Sequence, residues 1–159
     1  MKLGFIGTGK ITSSVITGIC TSKISFQKII VSPRNRNIAQ KLKKRFRKVN
    51  IANTNQEIVD KCNWVFLALT PKIGAKILQK LNFRSNQKII SFISTIDSVQ
   101  LKKIVRKKAK IIRALPLPPI SLRKGPVPIF PPNKEAKIFF NHLGTAVEIS
   151  NEKLFTNFW

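Results

Sequence analysis

Acidic residues are scarce in this chain. Six Asp and Glu stand against thirty Lys and Arg in 159 residues, a formal net charge of +24. Histidine occurs once, at His142, and the few acids are scattered, so the residues for a metal centre are lacking. Cysteine occurs only at Cys20 and Cys62, too few for a disulfide framework; both read as reduced, partly buried thiols. No stretch approaches the ~18–20 consecutive apolar residues of a membrane span. No apolar leader with a cleavage site follows Met1. The expectation is a cytoplasmic protein with no metal and no membrane contact. No Ser/His/Asp set or carboxylate pair points to hydrolysis, and the catalytic residue stays unassigned.

The length suits about one domain with a genuine core. The cations are spread over surface helices. One run is Lys41, Lys43, Lys44, Arg45, Arg47 and Lys48; another is Lys102, Lys103, Arg106, Lys107, Lys108 and Lys110. Apart from Phe46 no aromatic residue interleaves with them, where base stacking would require several. The charge therefore reads as a solvated surface that adheres non-specifically to nucleic acid at low salt. A basic, nucleic-acid-associated protein is the lesser alternative.

The informative stretch is the first. Residues 3–6 form an apolar strand, Gly7-Thr8-Gly9 follows at once, and Ile11, Val15, Ile16 and Ile19 fall at helical spacing. A strand, a glycine turn and a helix start make the phosphate-binding first unit of a dinucleotide fold. Gly7 allows the tight turn, and Gly9 lets a pyrophosphate approach the backbone. The helix start aims free N–H groups and the positive end of its dipole at the phosphates. Thr12 stands where the fingerprint has a third glycine. A Gly-x-Gly alone also marks an ordinary tight turn. The end of the next strand, residues 28–32, carries no acid for ribose hydroxyls. It offers Ser32 and, just beyond, Arg34 and Arg36. A hydroxyl and guanidinium groups suit a 2′-phosphate, which a carboxylate would repel, so the pattern selects NADP over NAD. A solvated basic turn is the alternative.

Strands and helices then alternate. Helices are expected over 37–47, 54–61, 71–80 and 98–108, and strands over 49–52, 63–69, 88–92 and 110–115. Thr54 and Glu57 form a capping box. The expected fold is α/β: a Rossmann-type, doubly wound, mainly parallel sheet with an extra C-terminal strand–helix–strand portion. In that portion 125–130 holds Pro126 and Pro128 and is expected at the sheet edge. A helix over 134–143 and a strand over 146–149 follow. Residues 1–150 form the nucleotide-binding domain, and 151–159 begin a further helix. Its Phe155, Phe158 and Trp159 fold back on the domain, or face a missing C-terminal half or a second copy.

The blocks Gly-Phe-Ile-Gly-Thr-Gly-Lys-Ile (4–11), Val-Ser-Pro-Arg-Asn (31–35), Asn-Gln-Glu-Ile-Val (55–59), Val-Phe-Leu-Ala-Leu-Thr-Pro-Lys (65–72) and Arg-Ala-Leu-Pro (113–116) resemble the N-terminal domain of pyrroline-5-carboxylate reductase. The resemblance implies hydride transfer from NADPH to a cyclic imine in proline biosynthesis. It implies that Gly7, Thr8, Gly9, Lys10 and Ile11 hold the pyrophosphate. Ser32, Arg34 and Asn35 would hold the 2′-phosphate and its ribose, and Asn55 the adenosine side. Ala68, Leu69, Thr70, Pro71 and Lys72 would line the nicotinamide end. Ser94-Thr95 replaces an Ala-Gly usual in the family, and Leu117-Pro118 replaces an Asn-Thr pair. The family's C-terminal helical domain, which makes the dimer and much of the substrate surface, is expected to be absent. A non-catalytic NADP-binding domain, or half of a split reductase, is therefore the alternative function.

Overall fold

The computed structural model describes residues 1–106 and 108–158; Lys107 and Trp159 lie outside the described residues. Strands and helices alternate as β1 (Lys2–Ile6), α1 (Lys10–Cys20), β2 (Lys28–Val31), α2 (Arg36–Arg45), β3 (Val49–Ile51), α3 (Asn55–Lys61), β4 (Trp64–Leu67), α4 (Pro71–Gln79), β5 (Lys88–Ser91), α5 (Ser98–Val105) and β6 (Lys110–Ala114). A 3-10 helix (Pro118–Leu122), β7 (Pro126–Phe130), α6 (Lys134–Asn141), β8 (Thr145–Glu148) and α7 (Glu152–Thr156) complete the chain. The strands form one sheet in the order β3-β2-β1-β4-β5-β6-β7-β8. Every pair is parallel except β6–β7. The order reverses between β1 and β4, the switch point of a doubly wound sheet.

Both faces of the central strands are buried, which explains their continuous apolar runs. Phe5, Phe66 and Ile90 point into one core with Val15, Ile16, Phe139 and Phe140. Their neighbours Ile6, Val65, Leu67 and Ile89 point into the other with Ile58, Leu78 and Leu101. Phe5 and Phe66 stack at 4.5 Å on adjacent strands. No helix among the described residues is long and apolar enough to cross a membrane.

Three expectations are corrected. β7 is an interior strand, and β8 takes the edge. The prolines are tolerated because of their parity. The Pro128 carbonyl accepts from Leu115 N–H, so Pro126 and Pro128 turn their missing donors toward β6, where the ladder pairs only Arg113 with Phe130 and Ala114 with Ile129. The carbonyls of Gly125 and Ile129 face β8 and accept from Thr145 and Ile149, so the β8 side keeps its donors. Helix α5 stops at Val105 because Arg106 adopts a left-handed cap at φ 57°. Helix α2 stops at Arg45, leaving Phe46 extended beyond it.

The C-terminal aromatics divide. Phe155 is fully buried, against Phe130 and beneath the Arg113 guanidinium, whereas Phe158 is 60% exposed. Arg113 also pairs with Glu152 at 2.9 Å, which fastens α7 to β6. Burial pushes the Glu152 carboxyl up, but its bonds from Ser98 and Arg113 outweigh this and hold it below its ordinary value.

Two tests follow from packing and charge. A Cβ on Gly18 of α1 would stand 2.5 Å from the Ile120 carbonyl oxygen, and backbone cannot yield as a side chain can. Gly18→Ala should destabilise by ~1–3 kcal/mol. Gly74→Ala on α4, whose nearest neighbour would be Ile93 at 3.4 Å, should be neutral or gain up to ~1 kcal/mol of helix propensity. Urea midpoints check both. Lys88, buried over Trp64 and paired with Glu135, falls from 10.5 to about 8 through burial and then the nearby Lys110. The unfolded chain holds the extra proton between those values, so the Lys88 contribution to stability should rise with pH across them. Lys88→Met should remove that contribution, read as the difference from the unmodified chain in midpoints between about pH 7.5 and 9, below the range where the raised Cys20 and Cys62 thiols act in the opposite direction.

Candidate cofactor site

The carboxyl ends of β1, β2 and β4 meet at the switch point, and the turn after each faces a common cleft. Gly7 closes the turn after β1 at φ +103°, a conformation that favours glycine. A Cβ there would also stand 2.3 Å from the Ala68 carbonyl oxygen. Ser32, buried at the end of β2, fastens this turn from the side. Its hydroxyl accepts the Gly7 N–H at 3.0 Å, and the Thr8 hydroxyl donates to its carbonyl at 3.0 Å. The two hydroxyls lie 2.8 Å apart. Thr12, in place of a third glycine, is fully buried and donates to the Gly7 carbonyl at 2.7 Å.

The helices that begin here differ from the others. The N-caps of α3, α5, α6 and α7 are Thr54, Asp97, Asn133 and Asn151, and each accepts N–H bonds through its side chain. Helices α1, α2 and α4, which follow β1, β2 and β4, have no side-chain cap and no acid in the first turn. Their first-turn N–H groups are left for an anion. No Asp or Glu occurs among residues 1–56, so nothing there opposes the positive field.

All but two of the site residues drawn from the motif blocks divide between two cavities. Gly7, Thr8, Gly9, Ser32, Arg34, Asn35, Asn55, Ala68, Leu69 and Thr70 line one cleft of about 190 Å³. Lys10 and Ile11 line an adjoining cavity of about 700 Å³ with Phe92, Pro116 and Leu117. Pro71 and Lys72 open α4 as exposed residues and line neither. Ile73 and Ile77, one turn apart on α4, also line the cleft and were not selected from the sequence. Their i, i+4 apolar spacing was the available signal.

This cleft suits a dinucleotide phosphate. Nothing lies within 4 Å of where a Gly9 Cβ would sit, so the backbone is open to an approaching group. The Asn55 side-chain oxygen is buried without a hydrogen-bond partner and lines the cleft, a free acceptor for a ligand N–H or O–H. Asn35 is left-handed at φ 61°, and Arg34 beside it is exposed. The Ser32 hydroxyl oxygen is already occupied by the turn, so its main work is to hold Gly7 and Thr8. Burial pushes the Cys20 and Cys62 thiols to about 11, which keeps both protonated and unreactive at neutral pH.

Residues 2–96 match the model of the family described as NADP oxidoreductase, coenzyme F420-dependent. The chain belongs to that family. Its relatives include pyrroline-5-carboxylate reductase 3 of Danio rerio, 28% identical over 128 residues that make up 79% of this chain and 44% of the relative. Pyrroline-5-carboxylate reductase 2 of Homo sapiens is 30% identical over 131 residues, 79% of this chain and 41% of the relative. The fold matches the 1-pyrroline-5-carboxylate reductase of Streptococcus pyogenes with a TM-score of 0.82 at 24% identity, covering 98% of this chain and 60% of that one. It matches the Plasmodium falciparum pyrroline carboxylate reductase with NADP bound at a TM-score of 0.81 and 22% identity, over 97% and 59%. The chain therefore spans about half the length of the curated relatives it matches. These relatives agree with the resemblance carried by the motif blocks, and the family is one of NADP-dependent oxidoreductases.

The two turn glycines should separate in mutagenesis. Gly9→Ala should fold with unchanged stability, because Gly9 has ordinary dihedrals of −98° and −168° and open space around it. Gly7→Ala should lose ~2 kcal/mol or more, from strain at positive φ together with the clash. Thermal melts of the two variants give the comparison.

Proposed function

We propose that this chain is the NADP-binding part of a reductase of the pyrroline-5-carboxylate type. One observation carries the reading: turns from separate βα units converge on an acid-free cleft where three helices begin without side-chain caps. In this reading Gly7, Gly9, Lys10 and Ile11 cradle the pyrophosphate at the start of α1. Arg34 and Asn35 take the 2′-phosphate, with Thr8 and Ser32 holding the turn beside them. Asn55 accepts from the adenosine half. Ala68, Leu69 and Thr70 line the way to the nicotinamide, with Pro71 and Lys72 behind them. NADPH, when bound, would supply a hydride to the imine carbon of a cyclic imine carboxylate, and a proton from solvent taken up at nitrogen would complete its reduction to proline.

Residues 1–150 form the nucleotide unit in this reading, and 151–159 begin a second segment. Exposed Phe158, beside exposed Leu154, is the surface offered to a second copy or to the remainder of the enzyme. A cytoplasmic location belongs to the same proposal. A second reading, cofactor binding without turnover, is favoured by Leu117 and Pro118 in place of the family's polar pair.

Fluorescence titration should give tighter binding of NADPH than of NADH. Arg34→Glu should weaken NADPH by about 10- to 100-fold and leave NADH nearly unchanged, the loss of a charge-assisted bond to phosphate. Gly9→Ala should weaken both cofactors about tenfold. Equal affinity of the unmodified chain for the two cofactors would remove the 2′-phosphate argument. Oxidation of NADPH in the presence of 1-pyrroline-5-carboxylate separates the reductase from the binding-only reading.

A further inference from the structure

Arg113 and Glu152 are buried or half-buried charged groups that the cofactor cleft itself does not use. Arg113 lies on β6 with its side chain 2% exposed, and its guanidinium reaches two elements at once. Nη1 donates to Glu152 Oε1 at 2.9 Å, and Nη2 donates to the Ser94 carbonyl at 2.7 Å. The same Glu152 oxygen accepts the Ser98 N–H at 2.8 Å and the Ser98 hydroxyl at 2.7 Å. The segment that leaves β5 and enters α5 is thus held at both ends by one ion pair, Ser94 through Arg113 and Ser98 through Glu152.

The position of that segment matters. β5 pairs with β4 in parallel register, Leu67 opposite Ser91, and Phe92 N–H bonds the Leu67 carbonyl. Ser94 and Thr95 therefore emerge at the carboxyl edge next to Ala68 and Leu69. Within the segment only Ile96 is seated in the core; Ser94 is half-buried and Thr95 exposed, so packing holds the middle of the segment and the ion pair holds its two ends. The Ser94 carbonyl takes its bond from Arg113, and Arg113 is kept in place by Glu152 from α7. The remaining Arg113 nitrogen, Nε, has no partner, so the guanidinium acts on the segment through its Nη groups, with Nη1 also 3.5 Å from the Thr156 hydroxyl of α7.

We infer that Arg113 and Glu152 are positioning residues for the nicotinamide half of the cofactor, acting through the 94–98 segment. The inference rests on the proposed NADP site. It couples α7, the start of the second segment, to the nucleotide unit, because its carboxylate anchors Ser98 directly and keeps in place the arginine that anchors Ser94. It also assigns a role to the arginine of the Arg-Ala-Leu-Pro block, which touches no cavity of the cofactor cleft.

Two ligands make the test: NADPH, and 2′,5′-ADP, which has the adenosine half and its phosphates but no nicotinamide. Affinities are measured on the 159-residue chain, with melting temperature followed in parallel. Glu152→Gln and Ser98→Ala should weaken NADPH about 3- to 10-fold and leave 2′,5′-ADP within about twofold, with bound NADPH emission shifting toward that of the free cofactor. Glu152→Asp should recover part of the loss. Should Glu152→Gln fail to fold, Ser98→Ala, which keeps the ion pair, carries the measurement. Variants that lose both ligands alike, or that match the unmodified chain on both, overturn the inference alone. An unmodified chain that binds neither ligand overturns the NADP reading and this one with it.

Discussion

There is no room for a side chain between β1 and β4 at Gly7. Its missing Cβ would sit against the Ala68 carbonyl, and the residue is held at positive φ. This one contact sets how closely the two central strands converge at their carboxyl ends. The Gly7 N–H then meets the Ser32 hydroxyl, which brings the end of β2 into the same corner. Once these three strand ends are fixed, the starts of α1, α2 and α4 are fixed with them, and their uncapped first turns face one cleft. The site is thus built from backbone before any side chain is chosen for a ligand. That fits a family whose members share the nucleotide edge.

Thr12 illustrates how the fingerprint can lose a glycine and keep its geometry. The third glycine of the motif permits close packing of helix and strand. Here Thr12 is buried in that place, and its hydroxyl satisfies the Gly7 carbonyl at 2.7 Å. The close approach of α1 to another part of the chain occurs instead at Gly18, against the Ile120 carbonyl in the 3-10 helix. Gly18 sits two turns along the helix, where a fingerprint read by spacing does not look.

Much of the fold is legible in the sequence because the parallel sheet is buried on both faces. Runs such as Val65-Phe66-Leu67 and Ile29-Ile30-Val31 have no amphipathic alternative and mark central strands directly. The glycine turn, the acid-free end of β2 and the Pro71 helix start are equally local signals, and the cleft they form was legible for the same reason. What was not legible depends on partners far along the chain. The prolines of β7 argue for an edge strand until their parity is known, and parity depends on which neighbour takes which side. Arg113, in Lys-Ile-Ile-Arg-Ala, has the look of a charged strand end. Its burial needs Glu152, 39 residues further on, and the Phe155 ring that the same helix delivers. The 3-10 helix at 118–122 follows prolines that announce only the end of a strand.

The distribution of the six acids gives the large positive charge its structural sense. Glu57 bonds the Asn53 N–H and pairs with Lys61; Asp60 accepts from Gln56; Asp97 caps α5. Glu135 pairs with Lys88, Glu148 with Lys137, and Glu152 with Arg113. Every acid is thus engaged in the scaffold, and none lines the cofactor cleft. The cleft therefore lies in an unopposed positive field, which attracts any phosphate but is screened over roughly 8–10 Å at ordinary ionic strength. Such a field raises encounter rates without distinguishing one phosphate ligand from another. Discrimination has to come from short-range geometry: the open backbone at Gly9, the fixed turn at Gly7, and the guanidinium of Arg34 beside a left-handed Asn35. The net charge is for that reason a property of the whole surface, while in the proposed reading the choice of cofactor belongs to a few residues at three strand ends.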